Sequence, residues 1–163
     1  MSRNLLILLA TLGSAALLSG AFAFQYIGGL APCHLCLQQR YPHGAAVAIG
    51  VVALLIPAGL LGRLLPWAGA LSALTTAGLG AYHTGVERHW WEGPTTCTSG
   101  SISGLSAKDL LAQIQAAPVI KCDQVAWEMF GLSMASWNML ASLVLVAIWV
   151  RAARKMARPG ATP

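Results

Sequence analysis

Charged residues are scarce in this sequence. Only 9% of its 163 residues are Asp, Glu, Lys or Arg, and 56% are hydrophobic, whereas in a soluble domain about a quarter of the residues are charged. The sequence also contains no internal repeat, linker or low-complexity stretch that would divide it. The composition therefore excludes an ordinary soluble domain and indicates a single integral membrane domain over residues 1–163.

The motifs of common cofactor sites are missing as well. There is no glycine-rich nucleotide fingerprint, and a haem attachment would need a histidine directly after Cys36, where Leu37 stands. A zinc site on Cys33 and Cys36 would need a matching second cluster, whereas the other two cysteines are isolated from each other. We therefore expect no metal ion in this protein.

Hydrophobic runs are abundant, and four of them approach the roughly 20 residues that a helix needs to cross a bilayer. They cover about residues 5–27, 42–61, 66–86 and 132–150. These runs predict an all-α membrane protein, a four-transmembrane-helix bundle. The first run has a basic start and an Ala-Phe-Ala end at 21–23, which resembles a signal peptide. Because the run continues to Ile27, we expect a retained helix.

The distribution of charge predicts the orientation. Of the ten basic residues, six lie at the two termini and in the connection between the second and third runs, where there is no acid. The other four and all five acids lie toward the loops of about residues 28–41 and 88–131. By the positive-inside rule the termini are cytoplasmic, so we expect a bacterial inner-membrane protein with periplasmic cysteine loops. The excess of basic charge then reflects topology, and no nucleic-acid partner is expected.

The loop of about residues 88–131 contains the pattern of a short helix. Ser106-Ala107-Lys108-Asp109 resembles a capping box. Leu110, Leu111 and Ile114 then fall on one helical face before a proline. This pattern predicts a short amphipathic helix that lies on the membrane surface or packs on the end of the bundle.

Small and aromatic residues fit a membrane bundle. Gly69, Ala73 and Ala77 recur at every fourth position, and such small-residue faces let helices approach closely in lipid. Trp67 and Trp149 fall at the predicted cytoplasmic ends, where indole rings commonly anchor a helix at the headgroups.

The cysteines form two pairs on the predicted periplasmic side, where disulfides persist. Cys33 and Cys36 have the spacing of a redox-active Cys-x-x-Cys pair at the start of the second helix, with Pro32 at its first position. Unpaired amides there favour thiolate, and Arg40, four residues after Cys36, shares its helical face. Cys97 and Cys122 flank the long loop, and the residues themselves leave every pairing of the four open.

Two dithiols at a membrane edge indicate electron transfer. Dithiol oxidation releases two electrons, and by elimination a lipid-soluble quinone is the natural acceptor. The alternatives are a non-catalytic small membrane protein with structural loop disulfides, and a relay that reduces its partners. Vitamin-K-epoxide-reductase-like chemistry also pairs such motifs, but its motif order differs.

Two segments resemble the DsbB family of membrane disulfide-bond-forming quinone reductases. The first is Pro32-Cys33-x-Leu35-Cys36-x-x-x-Arg40. The second runs from Cys122-Asp123 through Trp127 and Phe130-Gly131-Leu132-Ser133-Met134-Ala135 to Trp137-Asn138. The resemblance covers nearly the whole chain. One difference is visible: some members carry a carboxylate just before the arginine, and this chain has Gln39.

The resemblance implies a thiol:quinone oxidoreductase that reoxidises a periplasmic thioredoxin-fold protein of the DsbA type. The catalytic residues would be Cys33, Cys36, Cys97 and Cys122. The partner would attack a Cys97–Cys122 disulfide at Cys97, freed Cys122 would exchange with Cys33, and Cys36 would pass electrons to ubiquinone, or menaquinone, of the membrane quinone pool. Arg40 and His83 would bind the quinone. A histidine that is only hydrogen-bonded within the bundle is an equally good interpretation of His83.

Overall fold

A computed structural model describes residues 1–57, 59–94 and 121–156. Within these ranges the chain forms four helices and one two-stranded antiparallel hairpin. The elements in chain order are α1 (Arg3–Tyr26), α2 (His34–Leu55), α3 (Leu60–Glu87), β1 (Glu128–Met129), β2 (Leu132–Ser133) and α4 (Met134–Met156). The amphipathic helix predicted from Ser106 onward, like Cys97, lies outside the described residues.

Three of these helices, α1, α3 and α4, are long and apolar enough to cross a membrane. The second predicted span is part of α2, which does not meet the same measure. Its first turns carry the polar side chains of Gln38, Gln39, Arg40 and His43, which lower its mean hydropathy. The structure therefore confirms a helical protein with three candidate membrane spans among the described residues. That α2 also crosses the membrane stays a prediction.

The start of α2 differs from the predicted one. Cys33 is the N-cap residue, because its sulfur accepts a hydrogen bond from the backbone amide of Cys36 at 3.2 Å. The helix therefore begins at His34, and the prediction that Pro32 holds the first helical position is wrong. Sulfur is an unusual capping atom, and here the same atom belongs to the redox-active motif.

The other helix starts also lie away from the edges of the hydrophobic runs. Pro42 and Pro66, taken as the starts of two runs, are both inside helices. The last run begins in β2, because Phe130 and Gly131 have positive φ angles of 54° and 73° and turn the chain back on β1. Helix α4 therefore begins only at Met134, and the hairpin was not predicted.

The small-residue face of α3 packs against α4. Gly69 leaves room for the indole ring of Trp149, since a Cβ added at Gly69 would lie 2.7 Å from that ring. Ala73 and Ala77 are buried on the same face. Trp149 has an exposed fraction of 0%, so its predicted role as an interfacial anchor is wrong: the missing glycine side chain admits it to the core.

Candidate active site

Cys33 and Cys36 lie side by side at the start of α2. Both are free thiols, and their sulfur atoms are 2.7 Å apart. Cys33 is buried, while Cys36 is partly exposed. Three-residue spacing across the N-cap brings the two sulfurs together, so the pair can form a disulfide with little backbone movement.

The two thiols differ in acidity. Both lie at the very start of α2, ahead of the apolar run that begins at residue 42. The hydrogen bond from Cys33 to Cys36, together with burial, raises the pKa of Cys33. The same hydrogen bond lowers the pKa of Cys36 against the opposing effect of burial, while the nearby charges of Glu87 and Arg40 raise and lower it by less. Cys36 is therefore the more acidic thiol of the pair.

Cys122 lies next to this pair. It is disulfide-bonded, and it is buried in one apolar cluster with Cys33, Leu35 and Val86, against which Cys36 also packs. The fold thus brings three of the four cysteines to one place although Cys122 is distant in sequence. Thiol–disulfide exchange between the two pairs needs this proximity.

His83 of α3 contacts this cluster. Its Nε2 is 3.6 Å from Cys33 Sγ and 3.9 Å from Glu87 Oε1, one turn along the same helix. The ring also forms a hydrogen bond with the backbone of Cys122. One imidazole therefore touches both cysteine pairs. Hydrogen bonding within the bundle, the second interpretation of His83, is confirmed.

A network of polar side chains extends from His83 into the bundle. Gln39 Nε2 lies 3.0 Å from His83 Nδ1, and Asn138 Nδ2 donates to Gln39 Oε1 at 2.7 Å. Asn138 also donates to Thr76 Oγ1 at 3.3 Å, and its Oδ1 is 2.9 Å from His43 Nε2. Buried polar groups in a membrane helix are costly unless each finds a partner, and this network supplies the partners.

A cavity of about 310 Å³ opens beside the cysteines, between all four helices. It is mainly apolar in lining, with leucine, alanine and Phe24 of α1 on one wall. The titratable and charged residues that line it are Cys33, Cys36, Arg40, His43, His83, Glu87 and Lys121. A pocket that is mostly apolar and carries a few polar groups is the usual form of a small-molecule site.

Arg40 lies in the wall of this cavity and is directed toward α1. Its guanidinium donates to Gln25 Oε1 at 2.5 Å and to the Ala21 carbonyl at 3.2 Å, and it lies 4.9 Å from the centroid of the Phe22 ring. Its Nε atom is buried and has no hydrogen-bond partner among the described residues. No carboxylate of the described ranges forms a salt bridge with it, so it can offer a donor to a ligand.

Two sulfur atoms and one imidazole nitrogen, all of which can bind a metal ion, lie close together at the start of α2. Cys33 Sγ, Cys36 Sγ and one ring nitrogen of His83 all lie within 4.8 Å of one another. The sequence argument against zinc looked for a second cysteine cluster and did not consider a histidine from α3. Two thiolates and an imidazole are a ligand set that zinc accepts, so a metal ion would compete with disulfide formation here.

Comparison with known proteins identifies the family. The family described as "Disulfide bond formation protein DsbB" matches residues 3–152. The chain belongs to the DsbB family. The resemblance predicted from the two cysteine segments is therefore confirmed, and the protein is a multi-pass membrane protein of disulfide bond formation.

Individual relatives support the same assignment. Disulfide bond formation protein B of Chromohalobacter salexigens is 32% identical over 151 residues, which is 86% of this chain and 84% of the relative. Disulfide bond formation protein B 2 of Pseudomonas savastanoi pv. phaseolicola is 32% identical over 146 residues, 83% of this chain and 79% of the relative. Uncharacterized protein RP370 of Rickettsia prowazekii is 28% identical over 131 residues, 79% and 75% of the two chains. No solved structure matches the chain.

The residues expected to act in this DsbB-family protein are mostly close together. Cys33, Cys36, Arg40 and His83 all line the cavity, and Cys122 packs against the first pair. Sequence reasoning did not assign Gln39, Glu87 or Asn138 to the site, and it noted Gln39 and Asn138 only within the two family segments, although all three line the cavity. A signal was present, because polar side chains inside or beside apolar runs are functional candidates by default.

Proposed function

We propose that this protein is a thiol:quinone oxidoreductase that reoxidises a periplasmic thioredoxin-fold protein of the DsbA type. The observation that supports it best is the free Cys33–Cys36 pair beside a mainly apolar cavity whose wall includes Arg40. Membership of the DsbB family gives the general activity, the generation of disulfides.

Electrons would move by successive thiol–disulfide exchanges. A thiolate of the partner attacks Cys97 and releases Cys122 as a thiolate, which then attacks Cys33 and releases Cys36. The partner's second thiolate attacks the mixed disulfide, so the oxidised partner leaves and Cys97 is free. Cys97 then attacks Cys122, which re-forms the first disulfide and leaves Cys33 and Cys36 reduced by two electrons.

The cavity fits a quinone as the acceptor of these electrons. A quinone ring is apolar on its faces and carries carbonyl oxygens that accept hydrogen bonds, which the guanidinium of Arg40 in the cavity wall would donate. His43 donates through Nε2 to Asn138, so its buried Nδ1, which has no partner among the described residues, is an acceptor for a hydroxyl. When bound, a quinone accepts two electrons and two protons. The thiolate of Cys36 would deliver the electrons to the quinone.

The topology belongs to the same proposal. We place the cysteine end of the bundle in the periplasm and both termini in the cytoplasm of a bacterial inner membrane, with α2 as the fourth span. One integral membrane domain then comprises the whole chain. The segment after Ser106 would lie on the periplasmic membrane surface as an amphipathic helix.

Quinone absorbance tests the proposal directly. The full-length protein in detergent is mixed with a reduced DsbA-type partner and ubiquinone, and menaquinone is used in a parallel assay. Catalytic loss of oxidised quinone that depends on Cys36 supports the proposal. No turnover with either quinone, from a protein whose disulfide still affects its stability, favours a membrane protein with structural disulfides only.

A further inference from the structure

The ring of His83 lies between two groups that differ in hydrogen-bonding ability. Its Nδ1 lies 3.0 Å from Gln39 Nε2, and its Nε2 lies 3.6 Å from Cys33 Sγ. A neutral imidazole carries its proton on one nitrogen only, and the other nitrogen accepts. The group that faces each nitrogen therefore decides whether His83 donates to the cysteine or accepts from it.

The carbonyl of Leu35 fixes the orientation of Gln39. The side-chain nitrogen of Gln39 lies 3.1 Å from the Leu35 carbonyl oxygen, which can only accept a hydrogen bond. The other end of the amide, Oε1, accepts from Asn138 Nδ2 at 2.7 Å. Rotating the amide by half a turn would bring two oxygens together at Leu35. The NH₂ group must therefore face both Leu35 and His83.

It follows that Nδ1 of His83 accepts and that Nε2 carries the proton of the neutral ring. This proton faces Cys33 Sγ, at a distance suitable for a hydrogen bond to sulfur, and the ring is also hydrogen-bonded to the backbone of Cys122. Glu87 Oε1, at 3.9 Å from the same nitrogen, is too far for an N–H···O hydrogen bond. Glu87 has a hydrogen bond from Ser133 instead.

We propose that Gln39 is a positioning residue that holds His83 with its proton on Nε2, so that His83 stabilises negative charge on the sulfur of Cys33. This inference deepens the proposed function and takes its catalytic meaning from it. In that cycle Cys33 leaves as a thiolate, with the electron pair of its bond, when Cys97 attacks Cys122. A hydrogen bond from a fixed donor lowers the energy of such a leaving group.

A carboxylate in place of Gln39 would act differently. A carboxylate at position 39 has no hydrogen to donate to Nδ1, so it would draw the ring proton to Nδ1 or hold the ring doubly protonated. Other charged or titratable groups around the ring are Cys36, Arg40, His43, Glu87 and Lys121, all of which line the same cavity. None of these side chains forms a hydrogen bond with Nδ1 in the described structure, where Gln39 is the side chain that faces this nitrogen.

Nitrogen NMR of the imidazole tests the protonation state in the unsubstituted protein. In full-length, reduced protein labelled with ¹⁵N-histidine, His83→Gln identifies the signals of His83 among the four histidines. We expect Nε2 to give the signal of a protonated nitrogen and Nδ1 that of an unprotonated one. A proton on Nδ1 in the unsubstituted protein overturns the proposal.

The neighbouring glutamine supplies a matched control. Gln39→Glu should move the proton to Nδ1 or place protons on both nitrogens. Gln38→Glu introduces the same charge one residue away, on a side chain with no hydrogen bond to His83 in the described structure, and should leave the ring unchanged. An unchanged ring in Gln39→Glu also overturns the proposal.

Alkylation of Cys33 tests the consequence for the sulfur. In reduced Cys36→Ala protein, the Cys33 thiolate is measured by its rate of reaction with iodoacetamide across pH, with folding checked by circular dichroism. His83→Gln keeps an N–H donor and should preserve the rate within about threefold, whereas His83→Leu should lower it about tenfold at neutral pH. Equal losses in both variants would mean that an N–H donor at this place does not stabilise the Cys33 thiolate, which contradicts the proposal.

These measurements use neither quinone nor partner. If quinone turnover fails while the proton is found on Nε2 and His83→Gln preserves the thiolate, the proposed function is wrong and the hydrogen-bond assignment stands. If quinone turnover succeeds while the proton is found on Nδ1, the proposed function stands and the hydrogen-bond assignment is wrong.

Discussion

The two ends of the bundle are built on opposite principles. At the end near the termini, α1, α3 and α4 meet through Ile7, Ala70, Trp149 and Ala152, which are buried and apolar. At the cysteine end α2, α3 and α4 bury amide, imidazole and hydroxyl groups, among them Gln39, His83 and Ser136. In lipid, close packing of small residues holds helices together, whereas buried polar groups add cost unless they are paired. The first end therefore specifies the bundle, and the second uses the bundle to hold a reactive site.

The largest effect is expected when the sulfur of Cys36 is replaced by oxygen, because this change removes the chemistry of the cysteine end and leaves the apolar end unchanged. Cys36→Ser should abolish quinone reduction, because a serine hydroxyl cannot take part in two-electron disulfide chemistry, while the bundle stays folded. Quinone absorbance measures the loss, and trapping of a mixed disulfide at Cys97 shows that the partner still binds. Full turnover by this variant would contradict the assignment.

A second test compares the two thiols of one pair. The lowered pKa of Cys36 means that it is a thiolate at a pH where Cys33, with its raised pKa, still holds its proton. In the reduced protein at neutral pH we expect Cys36 to be alkylated by iodoacetamide at least about tenfold faster than Cys33, since each unit of pKa difference is a factor of ten in thiolate. Peptide mass spectrometry measures both rates. As pH rises, the difference should narrow; a faster Cys33 at neutral pH would reverse the assignment.

Arg40 tests whether the cavity binds the acceptor. Arg40→Ala removes the guanidinium donor in the cavity wall and should raise the apparent KM for quinone about tenfold, the effect of losing one charge-assisted hydrogen bond. Arg63→Ala, on an exposed residue near the start of α3, is the control and should leave KM unchanged. The affinity for the partner should be the same in all three proteins. Equal KM values for Arg40→Ala and the unsubstituted protein would exclude this role.

The smallest effect is expected from helix packing away from the cysteines, where α3 offers two glycines for comparison. An added Cβ at Gly69 would lie 2.7 Å from the Trp149 ring, whereas nothing lies within 4 Å of one at Gly78. Gly69→Ala should destabilise the protein by about 1–3 kcal/mol through overpacking. Gly78→Ala should stabilise it by up to roughly 1 kcal/mol through helix propensity. Thermal unfolding in detergent measures both, and equal shifts would show that this contact does not limit stability.

The sequence predicted the elements better than their contacts. Runs of apolar residues give helices because the bilayer length and the helical rise are fixed, so α1, α3 and α4 were expected. The contact between His83 and Cys33 depends on how α2 and α3 pack, and neither residue indicates the other. Trp149 shows the same limit: its place in the core requires the space at Gly69, which a tryptophan near a helix end does not reveal. Gln39 was noticed only as a departure from relatives, since its role depends on the orientation that Leu35 imposes.

Because Cys33 caps α2, the stability of the first turn of this helix is coupled to the reduction potential of the Cys33–Cys36 pair. The sulfur that accepts the Cys36 amide is a better acceptor when it is reduced than when it is bonded to another sulfur. An N-cap contributes about 1 kcal/mol to a helix, and for a two-electron couple a difference of that size corresponds to roughly 20 mV. Any change that loosens or tightens the first turn of α2 should therefore shift the reduction potential of the pair, even when it touches neither sulfur.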